Sequence, residues 1–413
     1  MMKKKRSFPA QYPAEKPDDL DLSPAMERVY DYWAARDDRN NEFFTNFKYS
    51  RITGIGKDKA VSRRDASKII KNDDIYYVWY TRRDTESGPV GMDKCTDELP
   101  AVDWDLADIY YATSKDGFNW HEQGIAVGRS PKGEYGDRSV TTPDVLYFKE
   151  KYYLYYQSFT GKFTPDKGDY CDVSMAWSDS ICGPWTKCEK SVVDLGSEDE
   201  WDGGAIHDPY PLVYQGKIWL IYKGQPIKNG RDCMVRAQGL AIAEDPLGPY
   251  AKHDLNPVLN SGHETCLYPY KEGIAALLIF DGPEKNTIQY APDGVNFEPK
   301  ASVQLPPIAP GPFCPDAFAD NGDGKGISWG LCHMGANTIS PDSERKIVEH
   351  SSFLARFDCD LHRDIDRQYF KNPHDHVGRF GEDVYFQEKM KLENEVKKQI
   401  SNESGLLDSN TIL

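Results

Sequence analysis

Asp65, Thr142, Asp208, Glu264 and Asp316 share one spacing. Each lies eight residues before a turn position: Asp73, Glu150, Gly216, Glu272 and Gly324. An apolar or aromatic run follows each turn: IYYVWY, YYLYYQ, KIWLIYK, IAALLIF and KGISWGL. The same offset from a turn means the same depth along a strand. If the five segments are related hairpins around one axis, these five polar residues converge at one end of a central funnel, where ligands bind. Four of the five are acidic, and side-by-side carboxylates are costly unless they do chemistry. The fitting chemistry is glycosidic hydrolysis. It needs an acid on the leaving oxygen and a base or nucleophile on the other face of the sugar, roughly 6.5 to 9.5 Å apart when water attacks and inversion results. Asp65 in the first hairpin and the His263-Glu264 pair in the fourth suit those positions. Asp208 between them would tune or orient the acid. Asp316, within CPDAFADNGDG, serves equally well as a turn cap.

Other residues extend this set. His207 and His263 each directly precede a ring acid. Fifteen residues beyond the ring positions stand Tyr80, Gln157, Lys223, Ile279 and Leu331. Gln157 and Lys223 are the polar pair with a long reach. Trp104, in AVDWDLADIYY, reads as a loop aromatic, either packed in its blade or offered as a sugar platform. Nucleophile-elbow, zincin and P-loop motifs are absent, and NGDGKG at 321–326 lacks the ligand series of a calcium loop.

The elements that must position these residues follow from the pattern. Each unit continues past its hairpin into a strand and a Ser/Asp/Gly/Pro turn ending on an aromatic: Trp120, Trp185, Tyr250 and Phe297. The fifth closes with SSFLARFDCDL. Five units of four strands predict an all-β chain, a five-bladed β-propeller over 47–358. FKYSRITGI, residues 47–55, is placed to complete the last blade. Residues 1–46 form an N-terminal extension in which Ser23-Pro24 starts a helix to about Arg36. Residues 359–413 form a C-terminal extension with a charged helix carrying Val384, Phe386, Met390, Leu392 and Val396.

The chain has 413 residues and a net charge of −16, which excludes a nucleic-acid partner. Its 25 Tyr, 17 Phe and 9 Trp suit strands and sugar stacking. Nine scattered Cys fit a reducing compartment better than a disulfide framework. The longest apolar run is too short for a membrane span, and no signal peptide follows MMKKKR. A cytoplasmic or periplasmic location is expected, with no membrane association.

SPAMER at 23–28, DASKII around Asp65, IHDPYPLVY around Asp208 and GHETCLYPY around His263 together resemble glycoside hydrolase family 117, the α-1,3-(3,6-anhydro-L-galactosidases). The resemblance runs from about Ser23 onward. It implies inverting, exo-acting release of 3,6-anhydro-α-L-galactose from neoagaro-oligosaccharides, by a homodimer that swaps its N-terminal segment. It makes Asp65 the general base, His263 the general acid, and Asp208 and Glu264 further acidic site residues. Thr142, Gln157, His207, Trp104 and His333 become sugar contacts. Family members with a divalent cation near the site are known; no compact ligand cluster in this sequence demands one, and no cofactor is expected to be required. One conflict stands. In a regular strand His263 and Glu264 face opposite ways. Register favours Glu264 as the acid and the resemblance favours His263. Gly262 permits a bend that would let both face the funnel, with Glu264 supporting His263. The alternatives are a family 43-like arabinosidase or xylosidase, and a sugar-binding propeller without catalysis.

Overall fold

The computed structural model describes residues 7–31, 41–227, 235–320, 322–335 and 351–364. Five antiparallel sheets follow one another along the chain as blades of a propeller. Blade 1 is built from Val61–Arg64 and Ile70–Asn72, then Ile75–Asp84, Asp108–Ser114 and Trp120–Val127. Blade 2 uses Ser139–Phe148, Lys151–Phe159, Asp172–Ser178 and Thr186–Lys187. Blade 3 uses Ala205–Tyr214, Lys217–Gln225, Ala237–Ala243 and Ala251–Lys252. Blade 4 uses Cys266–Tyr270, Gly273–Leu278, Thr287–Ala291 and Glu298–Ser302. Blade 5 combines Ile308–Pro312, Gly326–Gly335 and Ser352–His362 with Lys48–Ser50, which adds the outermost strand.

The innermost hairpins close as their sequences require. Asp73-Asp74, Lys149-Glu150 and Gln215-Gly216 all have φ between 46° and 72°. Paired positive φ values are the mark of the two-residue turn that matches strand twist. The aromatic that ends each blade's second half wedges against the preceding blade. Trp185 of blade 2 meets Trp79 of blade 1 with ring centroids 6.0 Å apart. Tyr250 of blade 3 shares a hydroxyl hydrogen bond of 2.7 Å with Tyr155 of blade 2. Trp120 of blade 1 packs with Trp329, Leu331 and Leu354 of blade 5.

The N-terminal helix is shorter than its apolar spacing predicted. It spans Pro24–Arg28, capped by Ser23 Oγ, and gives way to a turn at Val29 and Tyr30. It does so because its contacts are made by then. Ser23 Oγ donates to Pro257 O at 2.6 Å, Asn260 Nδ2 donates to Ala25 O at 2.8 Å, and Arg28 pairs with Glu284 at 2.6 Å. Trp33 to Arg36, and the residues expected to form a C-terminal helix, lie outside the described residues. Among the described residues no helix is long and apolar enough to cross a membrane, and the cysteines are free thiols.

The fifth ring position is also corrected. Asp316 lies in a short 3-10 helix, Pro315–Phe318, and its carboxylate accepts from Lys325 N at 3.1 Å. The fifth innermost strand is Ile308–Pro312, and its ring residue is Ala309. A segment with its own helical turn separates that strand from Gly324, so counting back from the turn lands outside the strand.

Candidate active site

Asp65, Thr142, Asp208, Glu264 and Ala309 have φ of 54°, 48°, 50°, 52° and 46°. None is glycine, and a left-handed backbone costs such a residue about 1–2 kcal/mol. Pairing slips at this point in three blades, between Thr141 and Asp144, His207 and Tyr210, and Ile308 and Gly311. In blade 1 the innermost strand is interrupted over residues 65–69. The kink changes which side chains face the axis. In a flat strand, neighbours alternate; here Arg64 and Asp65, His207 and Asp208, and His263 and Glu264 all line one cavity of about 300 Å³. His263 and Glu264 therefore both line the funnel. Gly262, at φ 114°, adds to the bend.

All nine site residues expected from sequence line this cavity: Asp65, Trp104, Thr142, Gln157, His207, Asp208, His263, Glu264 and His333. Below it, the ring residues and the residues following them enclose a smaller space of about 30 Å³, about the size that holds one water molecule.

Asp65 is the most heavily engaged acid. Its carboxylate takes Arg64 Nε at 2.9 and 3.1 Å, Thr81 Oγ1 at 3.2 Å and His333 Nδ1 at 3.1 Å. Burial pushes its pKa up, but Arg64 and His333 outweigh burial and hold it well below the usual carboxylate range. Asp208 is gripped by Lys223 Nζ at 2.9 Å and Gln157 Nε2 at 2.8 Å. Burial opposes its ionisation, yet Lys223 and the nearby histidines bring it down to about 2. It also accepts from Glu264 N at 3.3 Å. Glu264 shifts the other way. Burial and the Asp65 charge raise its pKa, and His263, His333 and Arg64 offset this only in part.

The two histidines differ sharply. His207 is buried, with Gln157 Oε1 and Gln225 Oε1 at 3.0 and 3.1 Å from its ring nitrogens. Burial and Lys223 lower its pKa to about 4, so it is neutral at pH 7. His263 keeps 37% of its side chain exposed, and Asp281 Oδ2 lies 2.9 Å from its Nδ1. Burial and Lys223 disfavour its charge, but Asp281, Glu264 and Asp208 prevail and raise its pKa. It is the histidine whose charged form is favoured, and it lines the cavity.

Trp104 is a loop residue held between two buried anchors. Asp103 accepts from Arg83 NH2 at 2.8 Å and from Ser62 and Ser352 Oγ at 2.9 Å. Asp105 pairs with Arg138 and accepts from Ala101 N at 2.6 Å. The Arg64 guanidinium lies over the Trp104 ring at 4.9 Å, tying the platform to Asp65.

Sequence reasoning missed Arg64, Thr81, Asp169, Phe280, Asp281 and Ile308. Thr81 pairs opposite Arg64, and His333 pairs opposite Ile308. They stand where Gln157 and Lys223 stand opposite Thr141 and His207. A search on the residue preceding each ring position would have found Arg64. Asp65, Glu264 and His333 each bring one ligand atom within 4.8 Å of the others. This set does not fit a resident divalent cation, because the Asp65 oxygens already take Arg64, Thr81 and His333.

A family model described as glycosyl hydrolases family 43 matches residues 99–238. No curated protein matches the chain. Among solved structures, one described as a glycoside hydrolase is 12% identical, covering 77% of this chain and 92% of its own at a TM-score of 0.55. At that identity the likeness shows the fold alone. Zg3597, a family 117 glycoside hydrolase of the marine bacterium Zobellia galactanivorans, is 48% identical, covering 80% of this chain and 95% of its own at a TM-score of 0.73. With close to half the aligned residues identical along nearly the whole of that enzyme, this chain is a member of glycoside hydrolase family 117.

Proposed function

We propose that the protein is an inverting exo-glycosidase that releases 3,6-anhydro-α-L-galactose from the non-reducing end of neoagaro-oligosaccharides. Asp65 is the base that takes a proton from the attacking water. His263 protonates the glycosidic oxygen. Asp208 and Glu264 hold the charge balance around it, and Trp104, Thr142, Gln157, His207 and His333 contact the sugar.

One observation carries the choice of His263. Asp65 and Glu264 present oxygens within 4.8 Å of each other. An inverting pair needs roughly 6.5 to 9.5 Å to admit water. That proximity of Glu264 to Asp65 favours His263 as the partner. His263 is exposed to the cavity and has its proton stabilised by Asp281. No step requires a metal ion.

Incubation with neoagarobiose, followed by NMR of the first-formed products, tests this reading. Galactose should appear as the leaving group, and the anhydrogalactose released should have inverted configuration at its anomeric carbon. Asp65→Asn should lower kcat about 10²- to 10⁴-fold, the usual contribution of a positioned base. A retained anomer would transfer the acid role to Glu264. Turnover of aryl arabinosides or xylosides with none of neoagarobiose would identify a family 43-like specificity instead, and binding without turnover a lectin. We propose further that two copies associate by exchanging the N-terminal extension, residues 1–46. Sedimentation equilibrium would then give twice the chain mass.

A further inference from the structure

We propose that Phe280 is the platform for the sugar on the leaving-group side of the scissile bond. This rests on the reading that His263 protonates the glycosidic oxygen. The sugar beyond that oxygen must then lie beside the proton donor.

Phe280 occupies that place. It lines the cavity and leaves 42% of its side chain exposed. Its ring stands edge-on to His263, with centroids 6.2 Å apart and planes at 78°. Two costs coincide there. A phenylalanine left 42% exposed forgoes part of the roughly 1.5–3 kcal/mol that full burial gives. Its φ of 60° is a left-handed backbone, which costs about 1–2 kcal/mol more. Among the described residues with exposed large apolar side chains, Phe280 is the one on a left-handed backbone.

The surrounding chain holds the ring in place. Asp281 O accepts from Gly262 N at 2.9 Å, and Asp281 N donates to Ile279 O at 2.9 Å. Gly282 packs so closely that an added Cβ would meet Ser261 Oγ at 2.4 Å. Residues 279–282 are therefore clamped to the 260–263 segment that carries the proton donor. The acid and the aromatic wall form one rigid piece.

The second wall stands elsewhere. Trp104 lies in the loop following the second strand of blade 1, tied through Arg64 to Asp65. Phe280 belongs to blade 4, which does not neighbour blade 1 in the ring. The bond to be cut is thus flanked by two aromatics, Trp104 on the side of the base and Phe280 on the side of the acid. A pyranose with a flat C–H face is the chemical class that such a ring accepts.

The test compares two substrates with one glycosyl unit: neoagarobiose, and 3,6-anhydro-α-L-galactosyl fluoride, which has no leaving sugar. Phe280→Ala should raise KM for neoagarobiose about tenfold, the loss of one stacking contact of ~1–1.5 kcal/mol. Its kcat/KM for the fluoride should stay within about twofold of wild type, and inhibition by free galactose should weaken in parallel with the KM change. Phe280→Trp should restore the neoagarobiose KM, and it serves as the check should the alanine variant fold poorly. Equal losses on both substrates, or an unchanged KM for neoagarobiose, would overturn the inference while the parent reading stands. A wild-type enzyme inert on both substrates would overturn the parent reading and the inference with it.

Discussion

His263 can donate only while it is protonated. The Asp281 carboxylate 2.9 Å from Nδ1 keeps it protonated to higher pH than a free imidazole. The sign follows directly. A raised pKa moves the alkaline limb of activity upward, so removing the charge moves it down. Asp281→Asn should shift the alkaline limb of kcat/KM to lower pH, because one charge partner of the protonated ring is lost. An unmoved limb would show that Asp281 only supports the loop. The acid limb should lie low, since Arg64 and His333 keep Asp65 ionised below the usual carboxylate range. Chelation should leave the rate unchanged, because the Asp65 oxygens already have protein partners; loss of activity in EDTA that returns with a divalent cation would refute this. At this scale the sequence was readable wherever function demanded a polar residue at constant depth. Arg64 was not, because it precedes the ring position instead of occupying it, and Phe280 was not, because it reaches the cavity on a left-handed backbone outside any strand.

The left-handed kink recurs in all five innermost segments, and below it sits a buried staple. Lys68 Nζ pairs with Asp144 of blade 2, donates to Pro211 O of blade 3 at 2.8 Å and rests over the Tyr210 ring at 3.9 Å. Lys68 is fully buried in the floor beneath the site. Removing one member of such a pair strands a charge away from water and costs about 3–5 kcal/mol. Lys68→Ala should lose that much in denaturant unfolding, whereas Lys68→Met combined with Asp144→Leu should recover most of it. Similar stability for the single and double variants would remove the staple from the account. Blades 1 to 4 were legible because a fixed hairpin turn follows each ring residue at a constant distance. Blade 5 was not, because its 3-10 turn between Pro315 and Phe318 breaks that count and leaves Asp316 beside Lys325. The N-terminal helix failed for a related reason. Its spacing favoured several turns, but its docking contacts at Ser23, Ala25 and Arg28 are complete within six residues.

At the scale of the molecule, the segment at 47–55 was placed correctly from its position ahead of the first hairpin. Lys48, Tyr49 and Ser50 pair with Asp358, Phe357 and Arg356. Tyr49 is buried and donates its hydroxyl to Leu305 O at 2.6 Å. Tyr49→Pro removes an N–H and a packed ring at once. It should lower stability by about 3 kcal/mol or more in thermal or denaturant unfolding. If stability does not change, the ring does not depend on this closure. The same strand also sets a timetable. It leaves the ribosome about three hundred residues before the strand it must pair with. Until then four blades stand as an open arc with unpaired edges, the form of a sheet protein most exposed to wrong partners. Activity can therefore appear only after synthesis has passed residue 358, and a circular permutant beginning at Asp58 would place both closing strands on one continuous late segment.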